Sequence, residues 1–268
     1  MRILHLSDLH FGYADESALA AVRAFALAAP PDLVIASGDL SAAGLQKELD
    51  ACAAWLAGLG APVVVTPGNH DVPYFEVFPR FYRPFRRFRA AAAAHALAME
   101  WRDARVCVVT LNSARGWQAR LNWALGAINP LQTSRAARVL HRAPAGALKI
   151  VVTHHPLIFP PHPALTGRTH GGAAAMRALI EAGAHLFLAG HLHVLRDFTH
   201  THAGRAALAL TGGTLSARLR GDPQGFNVIT HEAAGVRVER FAIEAGVIRP
   251  LACVHAGLAG GRLQPPPA

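Results

Sequence analysis

Short apolar runs that each end on a polar residue constrain this chain more than any other feature. Arg2–Leu6, Leu33–Ala36 and Pro62–Val65 read as buried strands, with helices expected between them over Glu16–Ala29 and Leu45–Leu59. Such runs lack the in–out alternation of a half-exposed strand, which marks interior strands of an α/β protein, covered on both faces. Asp8, Asp39 and Asn69 each fall just beyond one of these strands. Open α/β sheets gather their ligands there, outside the carboxyl ends of the strands.

Farther along, Glu76–Ala94 reads as helical with interruptions at Pro79 and Pro84, and Leu97–Trp101 with Val106–Leu111 suits a hairpin around Arg102-Asp103. Pro130–His141 and Ala173–Ala182 are expected helices. The strand Leu148–Thr153 delivers His154, and the strand Leu186–Ala189 delivers His191 and His193. The pattern then turns all-β over Leu195–Thr201, Ala206–Thr211, Phe226–Thr230 and Val236–Phe241. Two β-layers with helices outside are expected, in one domain over residues 1–256. A flexible tail over 257–268, closing on Gln264-Pro265-Pro266-Pro267, completes that reading.

With 268 residues, 52% of them hydrophobic and 16% charged, the chain can bury one sizeable core and is not a disordered protein. Its three cysteines, Cys52, Cys107 and Cys253, form no CxxC pair, which favours a reducing compartment without a disulfide framework. The apolar start is broken at Asp8 before a secretory h-region can form, and no uncharged apolar stretch is long enough to span a bilayer. A cytoplasmic location is therefore expected, with no transmembrane segment. The formal charge of +9 favours an anionic partner, although only Lys47 and Lys149 are lysines and the arginine excess accompanies abundant alanine.

Five segments carry the chemistry: Asp8-Leu9-His10, Gly38-Asp39, Gly68-Asn69-His70-Asp71, His154-His155-Pro156 and Gly190-His191-Leu192-His193. They offer carboxylate, carboxamide and imidazole groups, the donors that borderline divalent metals prefer. Singly, the first two are weak, because an aspartate after a strand serves equally as a turn former or cap. The third is stronger, since a tight turn with three polar groups has few purely structural uses. Together they supply ligands for two ions and leave one histidine over. Metals paired roughly 3.5–4 Å apart are a recurrent means of attacking a phosphorus centre. Of the 16 histidines, His5 is expected in the core, and His95, His141, His162, His170, His185, His200, His202, His231 and His255 belong to no motif.

These blocks, with the opening Ile3-Leu4-His5-Leu6-Ser7-Asp8-Leu9-His10-Phe11-Gly12, resemble the calcineurin-like metallophosphoesterase superfamily over about residues 1–240. The opening is most similar to a bacterial branch that includes class III cyclic-nucleotide phosphodiesterases. The resemblance implies a four-layer αββα sandwich of two mixed β-sheets flanked by helices, with a dinuclear metal site at the sheet rim. It implies that Asp8, His10 and His193 hold the first metal, that Asn69, His154 and His191 hold the second, and that Asp39 bridges both. The implied cofactors are two divalent or mixed-valence ions: manganese, iron or zinc. His70 falls on the family histidine that hydrogen-bonds the substrate or leaving group and is the expected catalytic residue. Asp71 is expected to orient His70 or its loop, and His155 to pack in support. Substrate contacts are expected from Asn69, His70, Arg218 and Arg220, with Asn112 and Ser113 as further candidates to line the cleft.

The implied activity is hydrolysis of phosphodiester bonds in a small, anionic, cyclic-nucleotide-like substrate by attack of a metal-bound hydroxide. Alternatives on the same fold are a nucleotide-sugar-lipid pyrophosphatase, a phosphomonoesterase, a protein phosphatase, a DNA nuclease, or a binding scaffold that has lost its ligands. All seven ligand positions and His70 are present, against the scaffold, and no additional DNA-engaging domain is evident, so nucleic acid is not an expected partner. The arginine-aromatic segment Phe81–Arg89 leaves three roles open: an amphipathic helix facing the core, a pocket lid, or a single-strand-binding surface.

Overall fold

The computed structural model describes residues 1–119, 122, 124–161 and 167–264. In chain order its elements are β1 (Arg2–Leu6), α1 (Glu16–Ala28), β2 (Leu33–Ala36), α2 (Gln46–Ala57), β3 (Val63–Val65), α3 (Val77–Tyr82) and α4 (Arg86–Ala94). There follow β4 (Glu100–Arg102), β5 (Val106–Thr110), α5 (Pro130–His141), β6 (Leu148–Val152), α6 (Gly172–Glu181) and β7 (Leu186–Ala189). The last third holds β8 (Asp197–His202), β9 (Arg205–Thr211), β10 (Gln224–Glu232), β11 (Gly235–Glu244), β12 (Val247–Ala259) and β13 (Arg262–Leu263).

One sheet runs β3-β2-β1-β10-β11-β12, parallel through β1 and antiparallel beyond it. The other runs β4-β5-β6-β7-β9, parallel from β5 to β9, with β8 and β13 paired to β9. The far end of β12 turns into β13 and so joins the two sheets along one edge.

Alternate residues of the same strands serve two different cores. Ile3, Leu33, Ile35 and Val64 pack between the sheets against Val108, Ile150, Leu188 and Leu210, all fully or almost fully buried. Leu4, Leu6, Val34 and Val65 point the other way, onto Leu19, Leu49 and Phe88 of α1, α2 and α4. On the opposite outer face Cys107, Val109 and Val151 meet Leu140, Met176 and Leu179 of α5 and α6. The result is the expected four-layer αββα sandwich. It also explains the unbroken apolar runs, because nearly every side chain of a central strand is buried on one face or the other.

The helix expected over Glu76–Ala94 breaks at one of its two expected interruptions: α3 stops at Tyr82 and α4 begins at Arg86, past Pro84, whereas Pro79 lies within the first turn of α3. Proline lacks an N–H, which a helix tolerates in its first turn but not farther in. Residues 257–263 do not form the expected tail. β12 continues to Ala259, the left-handed pair Gly260-Gly261 (φ 56° and 69°) reverses the chain, and Leu263 returns to the inter-sheet core. Pro265, Pro266 and Pro267 lie outside the described residues, as does His162. Among the described residues no helix is long and apolar enough to cross a membrane.

Candidate metal centre

The carboxyl ends of β1, β2, β3, β6 and β7 open onto one rim, and the five motifs follow directly from them. Asp8, His10 and Asp39 have φ of 53°, 44° and 52°, and His191 and His193 have 70° and 59°. Residues other than glycine seldom occupy this left-handed region, and each such residue costs on the order of 1–3 kcal/mol, so surrounding contacts must impose it. Those contacts are present. Asp8 N donates to the Gly38 carbonyl at 3.1 Å and His10 N to the Asp39 carbonyl at 2.9 Å, which ties the first two loops together.

Glycines make the close approach possible. A Cβ on Gly68 would collide with the Asp39 carboxylate, and one on Gly190 with the Ser7 hydroxyl and the Asp8 carboxylate. Gly68→Ala should therefore displace Asp39 and weaken metal binding by at least ~10-fold, the scale set by loss of a ligand's supporting contacts. Titration of the metal-stripped variant with Mn²⁺ measures this; wild-type affinity would show that the Asp39 position is not critical.

Hydrogen bonds determine which nitrogen of each ring faces inward. His154 donates its Nδ1 proton to the Ser37 carbonyl at 2.9 Å, and His193 donates its own to the Arg218 carbonyl at 2.5 Å. The Nε2 lone pairs then point into the site. His154 Nε2 lies 3.3 Å from Asp39 Oδ2, and His193 Nε2 lies 3.2 Å from Asp8 Oδ1 and 3.2 Å from His10 Nε2. Asn69 Oδ1 is 3.1 Å from both His154 Nε2 and His191 Nδ1. Asp39 Oδ1 accepts from His70 N at 2.8 Å, while Oδ2 stands between His154 and His10, 3.7 Å from the latter. Electron-rich atoms that converge in this way, with the Nδ1 protons of His154 and His193 already committed to carbonyls, call for cations among them. The donor set therefore fits two metal ions.

Charge and burial agree with this reading. Burial alone would raise both carboxyls, but His193 holds Asp8, and His154 holds Asp39, well below the ordinary carboxylate range. Burial likewise opposes protonation of His154, yet Asp39 and Asp8 keep its ring up at about 9, so an ion bound beside them would displace the Nε2 proton and engage that lone pair. His10 and His191 are pushed down to about 4 and about 3, chiefly by burial, so both rings are neutral and ligand-ready at pH 7. Two groups could each hold an ion: Asp8, His10 and His193, whose donor atoms lie within 4.8 Å of one another, and His154 and His191 with Asn69. Asp39 falls between the groups.

His155 also approaches His154 and His191, but both of its nitrogens are engaged, Nδ1 with Ser113 Oγ at 2.9 Å and Nε2 with the Ala124 carbonyl at 2.7 Å. It packs in support, and Ser113 holds it there. Asn112 spends its side-chain oxygen on Ala114 N. Asp71 collects the amides of Leu40, Ser41 and Gly68 and the Ser41 hydroxyl, so it fastens the loop. The His70 ring is held by a different group, the Ala42 carbonyl, which takes its Nδ1 proton at 2.7 Å. His70 Nε2 meets the Arg218 guanidinium at 3.1 Å, and the exposed Arg220 donates to the His191 carbonyl at 3.1 Å. His5 is buried between Ser37 and Asn227, as a core histidine should be.

Beside His70 a cleft of about 620 Å³ opens between α3 and Trp117, and a second of about 460 Å³ lies on the Tyr13 and Arg218 side. The arginine-aromatic segment divides here. Phe81 lines the larger cleft, Phe88 is buried in the core, and Arg87 pairs with Glu76 at 2.7 Å. Arg80, rather than Arg83 or Arg86, is the arginine in the cleft wall.

A family model for the calcineurin-like phosphoesterases matches residues 1–195. Similar solved structures include a dimetal phosphatase from Danio rerio, with a TM-score of 0.63 at 14% identity, covering 94% of this chain and 98% of that one. A purple acid phosphatase from yellow lupin (Lupinus luteus) seeds gives 0.62 at 12% identity, over 94% of this chain and 53% of that one. Vacuolar protein sorting 29 from Cryptosporidium parvum gives 0.52 at 13% identity, over 96% and 97%. No curated protein matches the chain in sequence. At these identities the structural likenesses show the fold alone, and the functional reading rests on the site itself.

Proposed function

The chain belongs to the calcineurin-like phosphoesterase family, and we propose that it hydrolyses phosphodiester bonds of a small substrate, with a cyclic nucleotide as the nearest analogue. One observation carries this reading: inward-facing lone pairs of Asp8, His10, Asn69, His154, His191 and His193 converge around the Asp39 carboxylate. Asp8, His10 and His193 would hold one ion, Asn69, His154 and His191 the other, and Asp39 would be shared. The mixed nitrogen and oxygen donors suit manganese, iron or zinc. When bound, the ion pair supplies a nucleophile from water at neutral pH and offsets the charge that develops on the phosphoryl oxygens.

The chain's own groups do the rest. The Asn69 side chain contributes a neutral oxygen and adds no charge that would oppose an anionic substrate. The His70 ring, anchored at Nδ1, holds Nε2 against the Arg218 guanidinium between the two clefts, from where, once released, it can carry a proton to the departing oxygen. The Arg218 guanidinium beside that nitrogen is placed to pair with a phosphoryl oxygen, and Arg220 stands farther out on the rim. Clefts on both sides of His70 offer room for two ester arms, which favours a diester over a monoester. The apolar walls of the larger cleft favour, as a second reading, a pyrophosphate diester with a lipid arm. Unpaired cysteines, with Cys52 and Cys107 buried, suit a reducing cytoplasm.

The deciding experiment is a panel of 3′,5′-cyclic nucleotide, bis(p-nitrophenyl) phosphate, p-nitrophenyl phosphate and a nucleoside-diphosphate conjugate, assayed with added Mn²⁺. Diester turnover exceeding monoester turnover is expected. A reversed order would overturn the diesterase reading.

A further inference from the structure

The chain's exposed large apolar side chains concentrate over residues 74–82 and at Trp117. α3, Val77-Phe78-Pro79-Arg80-Phe81-Tyr82, contains no buried residue and so gains nothing from the core. It is nevertheless held in place. Arg80 Nε donates to the Gly116 carbonyl at 2.9 Å, and Arg87, paired with Glu76, reaches the Gly44 carbonyl at 3.3 Å. Gly116 has no room for a Cβ, which would meet the Arg80 carbonyl and the Pro84 ring. α3 and the Gly116-Trp117 turn are thus docked on each other through the Arg80 side chain, while their aromatic side chains remain at least half exposed.

Those side chains form the walls of the larger cleft. Tyr74, Val77, Phe81 and Trp117 line it, and its inner end reaches Asn69 and His70. Phe81 and Trp117 form one continuous wall, their rings 5.6 Å apart and tilted by 54°. Val77 is 73% exposed, and Phe81 and Trp117 are 51% exposed each. Apolar surface gathered at the mouth of a polar site marks a binding groove, and about 620 Å³ lies within the usual range of small-molecule sites.

We infer that this cleft is the subsite for an uncharged apolar arm of the substrate, so that the substrate class is a phosphodiester with an aryl ring or a multi-carbon alkyl chain on one ester oxygen. The inference rests on the phosphodiesterase reading and narrows it. The phosphate sits at the Asp39 end, and the arm extends past His70 along Phe81 and Trp117. Because the arm is held equally in ground and transition states, it lowers KM with less effect on kcat. A planar ring and a hydrocarbon chain satisfy the same walls.

The test compares the methyl, n-hexyl and phenyl esters of methyl phosphate on the Mn²⁺-loaded enzyme, with product release followed by chromatography, so that no common aryl leaving group fills the cleft. KM for the hexyl and phenyl esters is expected to fall at least ~10-fold below that for the methyl ester, the scale of several buried methylenes. Whichever of the two gains more identifies the arm as aliphatic or planar. Trp117→Ala and Phe81→Ala should bring the ratio of KM values toward one. Phe78→Ala, on the outer side of α3 at 77% exposure, should leave the ratio intact. Calorimetric titration with n-hexyl methylphosphonate gives a reading independent of turnover, and its affinity should drop at least ~10-fold in both cleft variants. Equal KM values for the three esters, or a preference that survives in both cleft variants, would overturn the inference. If no diester is hydrolysed, the phosphodiesterase reading fails, and phosphonate binding still decides whether the cleft takes an apolar arm.

Discussion

Asp39→Ala is expected to abolish hydrolysis and to lower metal content at both positions. Its Oδ2 stands between His154 and His10, one from each ligand group, so no other side chain can replace it. The same carboxylate accepts the His70 backbone N–H through Oδ1, and its loss also releases the loop that carries the expected acid. Asp39→Asn keeps the size and a similar set of contacts but removes the charge, and it should retain more metal than the alanine variant. His193→Ala should deplete mainly the ion held with Asp8 and His10. Elemental analysis of the purified variants separates these outcomes; an Asp39→Ala protein with undiminished two-metal stoichiometry would falsify the shared-ligand assignment.

His70→Ala should behave in the opposite way. Its ring's hydrogen bonds go to the Ala42 carbonyl and Arg218, outside the inward-facing donor set, and it meets His10 only edge-on, ring centroids 4.8 Å apart. Metal content should therefore be retained while turnover falls ~10²–10⁴-fold, the usual range for loss of a proton-transfer group. The defect should shrink when the leaving group is p-nitrophenolate, which departs with little need of a proton. An equally large loss for alkoxide and p-nitrophenolate leaving groups would assign His70 to holding Arg218 rather than to proton transfer. Arg218→Ala provides the comparison, because it removes the cation and leaves the His70 ring on its Ala42 anchor.

The interior parallel strands were readable because they announce themselves. β1, β2 and β7 are short runs buried on both faces, and the first polar residues beyond each mark the rim. β12 gave no such signal. It is a 13-residue strand, mostly exposed, with Pro250 inside it, so neither alternation nor an apolar run distinguishes it from a loop. Gly260-Gly261 was the one visible hint, since paired glycines mark a tight reversal.

The same contrast holds at the site. Side chains that converge on Asp39 were legible as rare residue types in a particular order after strands. The carbonyls that orient them were not: Ser37 behind His154, Arg218 behind His193 and Ala42 behind His70. Every residue carries a carbonyl, and only the folded loops select these three. The apolar cleft was half legible. Phe81 was visible in its aromatic-arginine run, but Trp117 joins it only through the Arg80 contact with Gly116, across a separation of 36 residues.

The central claim is that two ions act together in one site. Initial rates of bis(p-nitrophenyl) phosphate hydrolysis, recorded while metal-free protein is titrated with Mn²⁺, test it most directly. The rate should climb to a plateau at about two equivalents per chain, the stoichiometry of a two-metal mechanism. A plateau at one equivalent, or no hydrolysis at any loading, would contradict it.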